Sequence, residues 1–263
     1  MKRVLHVWIS QGLCNRLRTL FSAMNAAAAT DRELLVSWQP DASCGARLDE
    51  LFVRPPKTTS SMRNKALLRW DDPMKWAHDM DGSETARVLK IQSNGVVMAA
   101  AQTSFWMPKL AELRVQPTLL KRVEAVRVRL GNGPKLGLQI RTQPNAHREG
   151  LRTSPLSWFV TATEEILAAR PQTVVFASCD SRDDEAELTR RFGPRVQFLG
   201  EKSGFNTAAG VQDALCDLLL LGDADYLLVS HRSSMGTLAR YLQRVEAARS
   251  PVQSMGLDWH KQL

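Results

Sequence analysis

Three apolar runs end in residues equipped to hold an anion. "LGLQIRT" finishes on Arg141, "DYLLVSHRSSM" on Ser233, Ser234 and Met235, and "VLHVWISQGLCNR" on Gly12, Asn15 and Arg16. Arginine offers parallel, charge-assisted N–H donors that match a phosphate or a carboxylate. A glycine or hydroxyl residue at the start of a helix leaves amide N–H groups at the positive end of its dipole. Together these residue types suit a phosphorylated ligand. A different chemistry sits in "DALCDLLLLGDADYLLV", where Asp217 lies beside a run of leucines. A carboxylate so placed fits a reader of a purine edge, accepting the N1–H and N2–H of guanine; it also fits a polar helix face shared with Asp213.

Alternation puts Leu138 and Ile140 on one face of the "LGLQIRT" strand and Gln139 and Arg141 on the other. An arginine ending a buried parallel strand needs an anionic partner or an opening to solvent. A diphosphate supplies that partner through charged hydrogen bonds worth about 1.5–3 kcal/mol each; an Asp or Glu salt bridge is the alternative. Ser233 and Ser234 can cap the following helix and line phosphate oxygens as well. The Gly12–Arg16 turn is neither G-x-x-x-x-G-K-[ST] nor G-x-G-x-x-G, so nucleotide hydrolysis and dinucleotide binding have no motif behind them. Arg16 and Arg18 fit either a phosphate or ordinary surface charge. His147 and Glu149, in the loop after Arg141, are candidates for a catalytic base or members of a solvated loop.

Regular alternation of strands and helices positions these residues. Val4–Ser10 reads as a strand, Asn15–Thr30 as an alanine-rich helix and Glu33–Pro40 as a second strand, which opens a βαβ unit. Residues 41–115 parse poorly beyond a short helix in "CGARLDELF" and a strand at Arg87–Ser93. Trp70, Trp76 and Trp106 in that stretch are core anchors or stacking platforms for an acceptor. Pro117–Gly131 is an amphipathic helix. After "GNGPK" come strands at "LGLQIRT", Thr173–Asp180, "RVQFLG" and "DYLLVS", with helices at Pro155–Arg170, "DDEAELTRRFG", Val211–Leu221 and "SMGTLARYLQRVEAA". The expected fold is α/β, GT-B-like: two Rossmann-like doubly wound lobes with an interdomain cleft. The lobes divide as 1–130 and 131–263.

The 263 residues carry 35 Lys+Arg against 27 Asp+Glu, a net +8 that favours anionic ligands. The basic residues are scattered and no nucleic-acid motif appears, so nucleic acid is not expected as a partner. Cys14, Cys44, Cys179 and Cys216 lie far apart without metal-like spacing, so no metal and no disulfide framework is expected. The apolar run in "MKRVLHVWIS" stops too early for a signal peptide, and no run reaches the 18 or more residues of a membrane helix. A soluble, cytoplasmic protein without stable membrane insertion is expected.

Four segments resemble the superfamily of α1,6-fucosyltransferases, nodulation-factor fucosyltransferases and protein O-fucosyltransferases. "GLCNRLRTLFSAMNAAAATDRELLVSW" is similar to its first turn and helix. "LGLQIRT" is similar to its His-x-Arg strand end, "VVFASCDSRDDEAELTRRFG" to its Ala-Thr-Asp strand end and helix, and "DALCDLLLLGDADYLLVSHRSSMGTLARYL" to its third motif. The resemblance implies an inverting, metal-independent transferase that needs no cofactor and uses GDP-fucose or another GDP-sugar as donor toward a hydroxyl acceptor. It implies that Arg141 grips the β-phosphate and that Asp217 reads guanine. Asp180 ends the second motif, Ser233, Ser234 and Met235 line the diphosphate with Gln139 nearby, and Gly12, Asn15 and Arg16 close the nucleotide from the other lobe. Glu149 and His147 fall near a catalytic acid of some members. Two positions depart from the pattern: Gln139 replaces the histidine before the arginine, and Gln143 replaces an aspartate after it. A donor other than fucose, or a non-catalytic GDP-binding protein, is the alternative.

Overall fold

Short apolar runs bounded by polar turns fold into two parallel sheets. The computed structural model describes residues 3–59, 74–76, 86–93, 97, 106–144, 148–242 and 247–249. Its residues group into two compact units, Met1–Leu119 with Ser203–Leu215, and Leu120–Lys202 with Cys216–Leu263.

The first unit opens with β1 (Arg3–Ile9), α1 (Leu13–Ala29) and β2 (Arg32–Trp38). It continues through α2 (Leu48–Leu51), β3 (Lys57–Thr58), β4 (Met74–Trp76), β5 (Val88–Ser93) and α3 (Trp106–Leu113). The sheet order is β3-β2-β1-β5-β4, so β1 is central, flanked in parallel by β2 and β5. Leu5, Val7 and Ile9 of β1 and Leu17, Leu20 and Phe21 of α1 are all buried. The opposite face of β1 carries His6, whose Nε2 meets Ser37 Oγ at 2.7 Å; Ser37 Oγ in turn meets Thr59 Oγ1 at 3.1 Å.

Helix α4 (Pro117–Leu130) leads into the second unit. There follow β6 (Lys135–Ile140), α5 (Arg148–Thr153), α6 (Leu156–Ala169), β7 (Val174–Cys179), α7 (Arg182–Phe192) and β8 (Val196–Gln197). Helix α8 (Ala208–Gly222) begins in the first unit and enters the second at Cys216; β9 (Tyr226–Val229), α9 (Ser234–Leu242) and β10 (Ala247–Arg249) complete the second. The order β10-β9-β6-β7-β8 is the doubly wound nucleotide-binding arrangement, with its switch point between β6 and β9. One face of β6 and β7 (Leu136, Leu138, Ile140, Val175, Ala177) packs with Phe159 and Ile166 of α6 and Leu188 of α7. On the other face, a Cβ added to Gly137 would meet Leu227 Cδ2 at 2.6 Å and Ala224 Cβ at 3.0 Å. That face is also the one of Gln139 and Arg141, as alternation predicts.

The expected α/β, doubly wound architecture is present in both units. Three local readings need correction. The helix expected over 234–248 ends at Leu242, and Ala247–Arg249 instead extend the sheet beside Tyr226–Leu228, ladder hydrogen bonds overriding alanine's helical preference. The strand expected in "RVQFLG" stops at Gln197: Arg129 donates to Gln197 Oε1 and Phe198 O, and Gly200 turns away at φ +111. Within 41–115 the sequence reading missed β3, β4 and α3. Trp70 and the tail after Arg249 lie outside the described residues, as do the side chains of Trp76 and Trp106.

Candidate functional site

Ligands of open α/β sheets bind beyond the carboxyl ends of the strands at the switch point. In the second unit that places the ends of β6 and β9 side by side, and Ser230 stitches them together. The Arg141 N–H donates to Ser230 Oγ at 2.9 Å, while the Ser230 N–H donates to Gln139 O at 2.9 Å. The Arg141 side chain remains one-third exposed (33%), with Nε 3.6 Å from Asp180 Oδ2. Asp180 uses its other oxygen, Oδ1, to accept the N–H groups of Thr142 (2.9 Å) and Gln143 (3.3 Å). Thr142 Oγ1 donates to Asp184. Burial raises the Asp184 carboxyl above its usual range, against the Thr142 hydrogen bond, and the charges of Asp180 and Asp183 add to the rise. Arg141 thus has both partners weighed from sequence in prospect: a carboxylate at Asp180, and an opening through which an external anion can reach it.

The β9–α9 loop is equally ordered by its own groups. Arg232 sits at φ +59, in the left-handed region, and the Ser233 N–H donates to Ser230 O at 3.1 Å. Ser233 Oγ then accepts the Gly236 N–H at 3.3 Å, an N-cap for α9. Ser234 and Met235 form the half-buried first turn. A Cβ on Gly236 would come within 2.7 Å of Val229 Cβ, so α9 lies close on β9. Two contacts tie this loop to α5: the His231 N–H donates to Ser154 Oγ at 2.8 Å, and Arg232 Nε lies 3.1 Å from Glu149 Oε2. His231 Nε2 is 3.9 Å from Glu149 Oε1. His147 lies outside the described residues.

Asp217 is buried, and so is Asp213, four residues earlier on the same helix, which accepts the Ser203 N–H at 2.7 Å. Asp217 Oδ2 takes two donors, Ser178 Oγ at 2.7 Å and Lys202 Nζ at 2.8 Å. Lys202 also donates to Cys179 O at 2.8 Å and lies 3.9 Å from Glu185 Oε1. Burial opposes the Lys202 charge, yet the Asp217 carboxylate outweighs it and raises the ammonium's pKa. The same burial pushes the Cys179 thiol well up and lifts Glu185. Gln139 stands in register with Ser178 on the same face. Two oxygens, Asp217 Oδ1 and Gln139 Oε1, are buried without a hydrogen-bond partner among the described residues.

In the first unit, Gln11 turns at φ +71 and Gly12 opens α1, whose first turn has no side-chain cap. Asn15 Nδ2 donates to Gln11 Oε1 at 2.9 Å. Arg16 is not a surface charge: it is fully buried. Its Nε donates to Gln11 O (2.6 Å), Nη1 to Gln39 O (2.7 Å) and Nη2 to Asp41 Oδ2 (2.5 Å), and the guanidinium lies 5.2 Å from the Trp38 ring centroid. Arg16 therefore ties the turn after β1 to the segment after β2.

The structure brings together Arg141, Asp180 and Ser230 with the start of α9, and separately Gln139, Ser178 and Asp217. The sequence reading missed Lys202, Asp184, Ser154 and Asp41. Lys202 had a signal, since it follows β8 as the other polar residues follow their strands; the remaining three declare themselves only through tertiary contact. Among the described residues, no group of three His, Cys, Asp or Glu side chains could hold a metal ion, and no helix is long and apolar enough to cross a membrane. Cys14, Cys44, Cys179 and Cys216 are all buried.

No family model and no curated protein sequence matches this chain. Solved structures do. Fucosyltransferase NodZ from Bradyrhizobium aligns with a TM-score of 0.70 at 17% identity, covering 92% of this chain and 94% of that one. The NodZ α1,6-fucosyltransferase soaked with GDP-fucose gives 0.69 at 17% identity over 92% and 93% of the two chains. POFUT1 in complex with GDP gives 0.60 at 10% identity over 95% and 98%. The resemblance read from the motifs thus extends to the fold.

Proposed function

We propose that the chain is an inverting glycosyltransferase that moves fucose from GDP-fucose to a hydroxyl acceptor without a metal. The observation that carries this reading is the meeting of Arg141 with the β9–α9 loop at the switch point, through the Arg141–Ser230 hydrogen bond. Loss of a nucleoside diphosphate leaves negative charge on the β-phosphate, and fixed donors aimed at developing charge are commonly the largest catalytic contribution. Arg141 supplies a guanidinium and the N-terminus of α9 supplies amide N–H groups and its dipole; the reading gives them the leaving-group charge. The fold shared with GDP-fucose and GDP complexes supports the same donor.

In this reading the C-terminal lobe, 131–263, binds the donor, and the N-terminal lobe, 1–130, serves the acceptor. Asp217 reads guanine through Oδ1, because Oδ2 is taken by Ser178 and Lys202. Gly12 and Asn15 close on the nucleotide, and Arg16 acts through the turn it holds rather than by touching the ligand. Gln139 favours a second reading: a buried amide stands where the resembling enzymes carry a histidine, which suits another GDP-sugar or a GDP-binding protein without turnover. Thermal shifts with GDP, UDP, dTDP and ADP, then GDP release from GDP-fucose and GDP-mannose, separate these. Stabilisation by GDP alone with release from GDP-fucose supports the first reading; no response to GDP ends both.

A further inference from the structure

The loops after β6 and β9 share more than the strand-end hydrogen bond. Helix α5 brings Glu149 against His231 and Arg232, two residues beyond the end of β9 and next to the capped start of α9. Arg232 Nε lies 3.1 Å from Glu149 Oε2, and His231 Nε2 lies 3.9 Å from Glu149 Oε1. The His231 backbone is independently fixed by its N–H bond to Ser154 Oγ, a fully buried hydroxyl at the end of α5. The ring therefore has a held backbone and a carboxylate behind one nitrogen. Its side chain keeps 24% exposure on the ligand side of the sheet.

A carboxylate 3.9 Å from one ring nitrogen lies beyond hydrogen-bond distance, but as a charge it favours a proton on that nitrogen, so that the other nitrogen presents its lone pair. We infer that His231, oriented by Glu149, is the general base that takes the proton of the acceptor hydroxyl. The inference rests on the glycosyltransferase reading and assigns the proton to a residue that reading leaves open. His231 Nδ1 takes the hydroxyl proton as the acceptor oxygen forms its bond to the sugar's anomeric carbon. The bond from that carbon to the β-phosphate oxygen breaks, and its electron pair leaves with GDP. Glu149 offsets the imidazolium charge, while Arg232 holds Glu149 beside the ring. The charged groups at this contact include Glu149 on α5 and Arg232 on the β9–α9 loop.

GDP release from GDP-fucose with water as the acceptor tests the assignment without knowledge of the natural acceptor. His231→Ala is expected to lose 100- to 10,000-fold in kcat while its melting temperature and GDP affinity stay at wild-type values. The acid-side fall of the wild-type rate is expected to vanish, and added imidazole to restore part of the rate, which a structural role would not allow. Glu149→Gln is expected to slow the wild type but not the His231→Ala variant, since the two act as one unit. Wild-type turnover in His231→Ala, an unchanged acid limb, absence of imidazole rescue or additive losses would each overturn the assignment. A wild-type protein that binds no GDP and releases none from GDP-fucose would instead overturn the transferase reading.

Discussion

The main chain of Arg141 and the hydroxyl of Ser230 meet at 2.9 Å, a hydrogen bond between two strand ends that helps position both the guanidinium and the loop carrying Ser233. Replacing either residue separates two effects, charge and placement.

Removal of the charge is expected to cost activity and little else. Arg141→Ala gives up a partly exposed 3.6 Å pair with Asp180, worth at most about 1 kcal/mol. It also removes the donor assigned to the leaving phosphate, for an expected loss on the order of 100- to 1000-fold in kcat. Turnover of GDP-fucose measured beside a melting curve checks both halves; near-normal kcat with an unchanged fold would remove Arg141 from the mechanism.

Removal of the placement is expected to cost both. Ser230 is buried, and Ser230→Ala leaves the Arg141 N–H without its acceptor, a penalty of about 1–3 kcal/mol. Urea denaturation should show that loss, and kcat should fall although no charge has changed.

Asp217 is buried and its Oδ2 takes both the half-buried Lys202 ammonium and the Ser178 hydroxyl, so removing the lysine should be severe. Lys202→Met strands a carboxylate and is expected to cost roughly 3–5 kcal/mol, much of it recovered in the Lys202→Met, Asp217→Leu double variant. Asp217→Asn, with the amide retained, should weaken GDP far more than UDP in calorimetry; equal weakening would argue against a base-reading role.

Acid should destabilise the first unit through His6. Burial foremost, and then the Lys90 charge, depress its pKa to about 4. An unfolded histidine takes up its proton near pH 6.5, so between those values the unfolded chain binds a proton that the native state refuses. Stability is therefore full above about pH 6.5 and falls as pH drops through this window, by up to about 3 kcal/mol. His6→Gln should flatten that dependence in denaturation series at pH 7 and pH 5.

A methyl group on Gly236 would strike Val229. Gly236→Ala is expected to cost about 1–3 kcal/mol by overpacking and to shift the start of α9. Val229→Ala in the same chain should restore part of the melting temperature, which a purely conformational effect at Gly236 would not permit.

The doubly wound pattern was legible because the central strands of the second unit are short apolar runs closed by polar residues, as in "TVVFASCD" and "DYLLVS". Arg141, Ser233 and Asp217 stood out for the same reason: charge or hydroxyls where apolar periodicity stops. What local pattern could not convey was pairing. Asp41 satisfies Arg16 from 25 residues away and Lys202 reaches Asp217 from outside its helix, so a buried cation looked like a surface one and a paired carboxylate looked free. Likewise Ala247–Arg249 is a strand only because β9 has an open edge.

Asp180 sets the terms on which any anion can approach Arg141. Its Oδ2 already stands beside the guanidinium while Oδ1 is anchored by two main-chain donors, so the carboxylate cannot swing away freely. An arriving phosphate therefore meets a neutralised cation and must compete with a tethered rival. A lone orthophosphate has only that contested contact to gain. In the proposed reading, a pyrophosphoryl group that also reaches the first turn of α9 would win the exchange with its second phosphate, and Asp180 would discriminate between the two while binding neither.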